Sequence, residues 1–203
     1  MTNHYIDPIL EIITSRQQAI TAKDPNANVC HFATVASNNG KLIASVRAIN
    51  LHTISGRSFE FHCSEQSEKW KHLQLNSAYE FELWLPSVGR NYRIQGELEI
   101  MPKSLVEQNW SRSLYSFKIL DCFYEEYQPL GSKLQSQELL LSSIDSLKTK
   151  NPIEEQILPP KHLRGFYCKA CQIDALYISE DRLHERHHYS YIDNNWHHEL
   201  RVP

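Results

Sequence analysis

Close to the C-terminal end of the 203-residue sequence, Arg182, His184 and Arg186 alternate with Leu183 and Glu185. The apolar, aromatic run 173–178 precedes them and an alternating run to Tyr191 follows, which predicts strand rather than helix. Side chains two apart in a strand share a face, so two guanidiniums are expected to flank one imidazole. Such a row donates hydrogen bonds to a phosphate or another anion, and its imidazole is suited to moving protons. Spacing alone equally allows a solvated, charged strand face.

A second candidate is Ser67-Glu68-Lys69, at the start of a predicted helix through Leu75. With Ser67 as N-cap, the free amides of the first turn and Lys69 would make a phosphate cradle; an ordinary capped helix has the same signature. Cys168-x-x-Cys171 lacks the second ligand pair that a zinc site needs, and residues three apart in a strand face opposite sides. The five cysteines are scattered and odd in number, which does not suggest a disulfide framework. Five histidines lie in the last twenty residues. Without a helical H-x-x-x-H pair they read as surface strand residues, and no metal is expected. Glycine fingerprints for dinucleotides or nucleoside triphosphates are absent.

The elements that must position these residues are mostly strands. A helix is expected over 7–23, from Asp7-Pro8, with Ile9, Ile13 and Ile20, beside Leu10 and Ile12, as its apolar side. Strands are expected over 29–36, 41–51, 58–63, 78–85 and 91–101, the first two joined by the hairpin turn Asn39-Gly40. Short antiparallel strands at these intervals suggest a barrel or sandwich. Helices are expected over 103–110 and 135–148, while the aromatic region 111–127 has no clear assignment. A proline-rich connector, 151–161, leads to strands over 164–178, 185–191 and 196–202.

The length fits one domain, 1–203, with an N-terminal helical extension, 1–27, and C-terminal strands over 162–203. A net charge of −3 with 41% hydrophobic residues offers no global field for nucleic acid or membrane, so local cationic clusters must do any anion binding. No apolar run approaches the ~20 residues that span a bilayer, and residues 1–7 lack signal-peptide character. A cytoplasmic location is the expectation.

Four ordered blocks resemble the pyridoxine/pyridoxamine 5′-phosphate oxidases. They are Ser45-Val46-Arg47-Ala48-Ile49-Asn50-Leu51-His52; Phe61-His62-Cys63-Ser64 running on to Ser67-Glu68-Lys69; Arg90-Asn91-Tyr92-Arg93-Ile94-Gln95-Gly96; and Asp181-Arg182-Leu183-His184-Glu185-Arg186, followed by Trp196 and the tail Leu200-Arg201-Val202-Pro203. The resemblance implies a mainly β, α+β fold, the FMN-binding split β-barrel, and a homodimer with FMN at the subunit interface. It implies that Arg47, Ser67 and Lys69 hold the FMN phosphate. Arg47, Ile49, Asn50, Leu51 and His52, with Cys63 and Asn91, would line flavin or ribityl, and Arg186 would reach the flavin from the second subunit. Arg182 and His184 would be catalytic, facing a pyridoxal-type phosphate substrate together with His52, Arg112 and Ser116. The implied reaction is oxidation of pyridoxamine or pyridoxine 5′-phosphate to pyridoxal 5′-phosphate, with oxygen as acceptor.

The sequence departs from that pattern at named positions. His52 stands for a lysine, Glu68 for an arginine and Asn91 for a glutamine; the family's tyrosine is missing around Gln108, and its tryptophan falls near Leu176 or Tyr177. Two further readings therefore stand: a related FMN oxidoreductase with a different aromatic substrate, of phenazine-pathway type, and a catalytically silent flavin- or pyridoxal phosphate-binding module.

Overall fold

The computed structural model describes residues 7–203; residues 1–6 of the expected N-terminal extension lie outside them. The elements, in order, are α1 (Pro8–Thr21), β1 (Val29–Asn38), β2 (Lys41–Ser55), β3 (Ser58–Ser64), α2 (Glu68–Leu75), β4 (Tyr79–Leu85), β5 (Arg90–Ile100), α3 (Lys103–Trp110), α4 (Tyr115–Glu126), α5 (Gln137–Lys150), β6 (Leu163–Tyr177), β7 (Glu185–Ile192) and β8 (Asn195–Arg201). Among the described residues no helix is long and apolar enough to cross a membrane.

Chain contacts divide the protein into two compact units. One holds the described residues 7–61 with His72–Glu99 and Phe166–Pro203; the other holds His62–Lys71 and Ile100–Gly165. The first is built on an antiparallel sheet of order β3-β2-β1-β4-β5-β6-β7-β8, in which β3 also pairs with β6. That extra pairing closes six strands into a barrel and leaves β7 and β8 as an outward extension; closure removes the exposed edges an open sheet would present. The β1–β2 turn forms as expected. Asn38 pairs with Lys41, and Asn39 and Gly40 both take positive φ, 50° and 78°, the turn whose twist matches the strands.

The barrel interior is aromatic. Phe32, Phe59, Phe61, Phe81 and Phe166 are fully buried, with Phe61 5.2 Å from Phe81 and 5.6 Å from Phe166 between ring centroids. Edge-on and offset contacts of this kind add to plain area burial.

Helix α1 starts where its signals predict. Asp7 Oδ1 accepts from Ile9 N at 2.9 Å, and Pro8 opens the first turn. Its inward face differs from the expected one. Ile9, Ile12, Ser15 and Ala19 are buried, whereas Leu10, Ile13 and Ile20 are exposed. Polar anchors fix that rotation: Ser15 and Tyr92 share a 2.8 Å hydrogen bond, and Glu11 accepts from the hydroxyls of Tyr92 and Tyr177.

In the second unit, the unassigned region 111–127 contains α4. Its N-terminal residue Leu114 offers no side-chain cap, so the usual start signal is missing. Ile119 and Phe123 of α4, Trp110 of α3 and Leu147 of α5 are buried, and Trp110 Nε1 donates to the Ile157 carbonyl at 2.7 Å.

Candidate functional site

In the second unit, Cys63, Ser67 and Lys69 come together where β3 hands over to α2. Ser67 caps the helix as predicted: its Oγ accepts from Trp70 N at 3.4 Å and donates to the Ser64 carbonyl at 2.7 Å. The Ser64 Oγ accepts from Gln66 N at 3.0 Å, so two serines shape the turn that opens α2. Cys63 is buried, and burial pushes its thiol up to about 11 against the pull of Lys69, Ser67 and Arg164. Its thiol is therefore neutral at neutral pH, not a nucleophile. Glu65 is bound by Arg164, which also donates to the Lys161 and Leu163 carbonyls at 2.8 Å each. Glu68 is exposed at the helix start.

The same unit holds Arg112 and Ser116. Arg112 lies just past α3, its amide donating to the Asn109 carbonyl at 3.0 Å, and Ser116 lies in the first turn of α4; both are exposed. Asp121, farther along α4, has a carboxyl raised to about 6 by burial and by Glu125.

In the first unit, β2 carries the longest run of candidates. Ile49 and Leu51 are buried while Asn50 and His52 are exposed, the alternation a strand dictates. The Arg47 side chain lies along β1: one terminal nitrogen donates to Thr34 Oγ1 at 2.7 Å, the Ser45 carbonyl at 2.8 Å and the Phe32 carbonyl at 3.1 Å. The β2–β3 register shifts between Leu51 and Ile54. Beside that irregularity, Arg16 of α1 donates to the Leu51 and His52 carbonyls at 2.9 and 3.0 Å, so the backbone freed from the ladder is satisfied by a side chain. Asn91 on β5 donates to Glu82 at 2.7 Å, and Glu82 lies 3.3 Å from the His31 imidazole.

The C-terminal row is corrected. Strand β7 begins only at Glu185, so Arg182 and His184 sit in the turn before it and do not share a strand face with Arg186. Arg182 takes a positive φ of 63°, and its amide donates to the Ser179 carbonyl at 3.2 Å. His184 Nδ1 accepts from Ser179 N at 3.2 Å, which fixes that nitrogen as the unprotonated one. The chain cannot stay extended here because it must reverse between β6 and β7, and Asp181 Oδ1 holds the turn by accepting from Leu183 N at 3.1 Å. Arg186, on β7, forms a two-pronged ion pair with Asp174 of β6.

Beyond these, His187 and His198 stack between Tyr177 and Tyr189, with His187 Nδ1 and His198 Nε2 2.9 Å apart. Cys168 is buried and Cys171 half-buried, consistent with their opposite faces. Sequence reasoning missed Arg16, Arg164 and Asp174. Asp174 alone left a signal, as the single acid inside the run 173–178. The other two are ordinary surface-type arginines until the fold supplies their carbonyl partners.

No protein-family model matches the chain. It is 24% identical over 201 residues to the pyridoxine/pyridoxamine 5′-phosphate oxidase of Actinobacillus pleuropneumoniae serotype 5b (strain L20), covering 99% of this chain and 91% of that one. Against the oxidase of the same name from Pelagibacter ubique (strain HTCC1062) it is 25% identical over 201 residues, covering 98% and 92%. Among solved structures it is similar to PhzG from Burkholderia lata 383 in complex with tetrahydrophenazine-1-carboxylic acid, with a TM-score of 0.82, 20% identity and coverage of 99% and 95%. It is also similar to a pyridoxamine 5′-phosphate oxidase-related, FMN-binding protein from Nostoc punctiforme PCC 73102, with a TM-score of 0.76, 15% identity and coverage of 98% and 100%. The fold is that of the FMN-binding split barrels, mainly antiparallel sheet with flanking helices, and the resemblance to the oxidases runs the length of the chain.

Proposed function

We propose that this chain, over its whole length, is an FMN-dependent oxidase that acts as a homodimer with FMN at the subunit interface. Its substrate on this reading is pyridoxamine or pyridoxine 5′-phosphate, its product pyridoxal 5′-phosphate, and oxygen the final acceptor. The observation that carries the reading is the Ser64–Ser67 turn at the head of α2, with Lys69 one helical step on. It offers a capped helix start and a cation, the donor set a flavin phosphate requires. The acid at Glu65 is already neutralised by Arg164, which leaves Glu68 as the acid that opposes an anion at the helix start.

The roles follow residue by residue. Arg47, Ser67 and Lys69 bind the phosphate; Ile49, Asn50, Leu51, His52, Cys63 and Asn91 line ribityl and flavin; Arg186 of the second copy reaches the flavin. Arg182 and His184 orient the substrate, and His184 is held in one tautomer by the Ser179 amide, so that its other nitrogen is the one that carries a proton. His52, Arg112 and Ser116 complete the substrate contacts. FMN, when bound, supplies the two-electron acceptor, while the protein supplies orientation and electrostatics.

A second reading keeps FMN but changes the substrate to a non-phosphorylated aromatic, as in phenazine-type chemistry. The replaced lysine at His52 and the missing tyrosine near Gln108 favour it. One experiment separates the two. The purified protein is loaded with FMN, and its absorbance is followed on anaerobic addition of pyridoxamine 5′-phosphate. Bleaching followed by recovery in air, with pyridoxal 5′-phosphate formed, is expected. A flavin spectrum that neither vitamer phosphate bleaches sinks the first reading, and a protein that binds no FMN sinks both.

A further inference from the structure

Across the β6–β7 ladder, Asp174 lies opposite His188 and Leu176 lies opposite Arg186. The Asp174 carboxylate reaches diagonally to the guanidinium: Nε donates to Oδ1 at 2.9 Å and to Oδ2 at 3.2 Å, and Nη2 donates to Oδ2 at 2.8 Å. The Asp174 side chain is 14% exposed and that of Arg186 30%, so the carboxylate is largely shielded while the guanidinium keeps one side open to solvent. A forked contact fixes the plane of a guanidinium as well as its position. It also leaves Nη1 without a hydrogen-bond partner among the described residues. His188 stands 3.8 Å from the same carboxylate, and with Arg93 and Glu80 these residues line a small polar cavity of about 120 Å³. Burial works against the charged form of Asp174, but Arg186, then Arg93 and His188, more than offset it and hold the carboxyl below its usual range.

We propose that Asp174 is a positioning residue: it locks Arg186 so that Nη1 is the donor presented to the flavin, and it cancels the guanidinium's net charge there. This rests on the role proposed for Arg186 above. The physical consequence is specific. A clamped, neutral pair gives the flavin one directed hydrogen bond without a full positive charge beside it. Replacing the carboxylate by an amide of the same shape uncovers that charge, which favours added electrons on the flavin and raises its midpoint potential. It also releases the guanidinium's plane, which weakens binding.

The test is a double-mutant cycle of Asp174→Asn, Arg186→Gln and the two combined, with Asp174→Glu as the conservative variant. Three quantities are read: the FMN dissociation constant by fluorescence titration, the midpoint potential of the loaded protein, and the Arg186 Nε–H resonance in FMN-free protein. Asp174→Asn is expected to weaken FMN binding about tenfold, the worth of one charge-assisted hydrogen bond, and to shift the potential upward. Asp174→Glu should restore part of both. In the Arg186→Gln background, Asp174→Asn should change the dissociation constant less than about twofold, because coupled residues do not add. Fully additive losses, or a potential and dissociation constant unmoved by Asp174→Asn, overturn the proposal. The resonance needs no flavin. If it is unchanged in Asp174→Asn the clamp itself is refuted, whereas wild-type protein that binds no FMN refutes only the functional reading.

Discussion

Replacing Gly96 with alanine tests the β5–β6 seam of the barrel, on which the candidate residues of β5 and β6 depend. An added Cβ at Gly96 would lie 1.8 Å from the Lys169 carbonyl oxygen and 2.8 Å from the Cys171 amide nitrogen. Both are backbone atoms of β6, so no side chain can rotate away, and the two strands must part by well over an ångström. Two or three ladder hydrogen bonds, each worth about 1 kcal/mol, are then stretched or lost, on top of the strain of overpacking. Together these destabilise by about 3–5 kcal/mol, a large share of a typical stability of about 5–15 kcal/mol. For a chain of this size that corresponds to a fall in melting temperature of about 6–20 °C. Thermal unfolding of FMN-free protein by circular dichroism reads it directly. FMN binding should weaken in parallel, since β5 carries Asn91 and β6 carries Asp174. A melting temperature within about 2 °C of the parent would refute the close approach of β5 to β6 at Gly96.

Phe81→Ala removes a ring that meets Phe32, Phe59, Phe61 and Tyr79. It should cost about 3–5 kcal/mol in denaturant unfolding; a loss below about 1 kcal/mol contradicts a packed aromatic interior. Acid should destabilise the fold. Burial holds the imidazoles of His162, His188 and His198 below their usual range, with Arg201 adding to the effect on His188 and His187 to that on His198. Below about pH 6.5 the unfolded chain therefore takes up protons that the folded one refuses, and stability drops. Asp121 acts oppositely: its carboxyl, raised to about 6, is protonated in the fold before it is in the unfolded chain, offsetting part of that loss between about pH 6 and pH 4. Asp121→Asn should thus be more stable at alkaline pH and decline more steeply in acid, as denaturant titrations across that range will report; a shallower decline speaks against the burial assigned to Asp121.

The candidate site was legible in unequal parts. Ser67 was found because a helix cap is a local device: one hydroxyl and an amide three residues on, both close in sequence. The Asn39-Gly40 turn was legible for the same reason. The row Arg182, His184, Arg186 failed because strand periodicity holds only where a partner strand pairs, and pairing with β6 begins at Glu185. Helix α1 was placed correctly but turned wrongly, since Glu11, Ser15 and Arg16 select its inward face through partners on β2, β5 and β6 that lie far off in sequence.

By itself the sequence determined where α1, α2 and the β1–β2 hairpin lie, which side chains alternate along β2, and which four blocks resemble a flavin oxidase. These are properties of neighbours in the chain, decided by backbone geometry and short-range hydrogen bonds. The tertiary structure alone decided that β3 returns to β6 to close the barrel, that Arg16 satisfies the β2 carbonyls, and that Asp174 clamps Arg186. Each of these joins groups distant in sequence whose attraction is felt only once burial brings them together and excludes water.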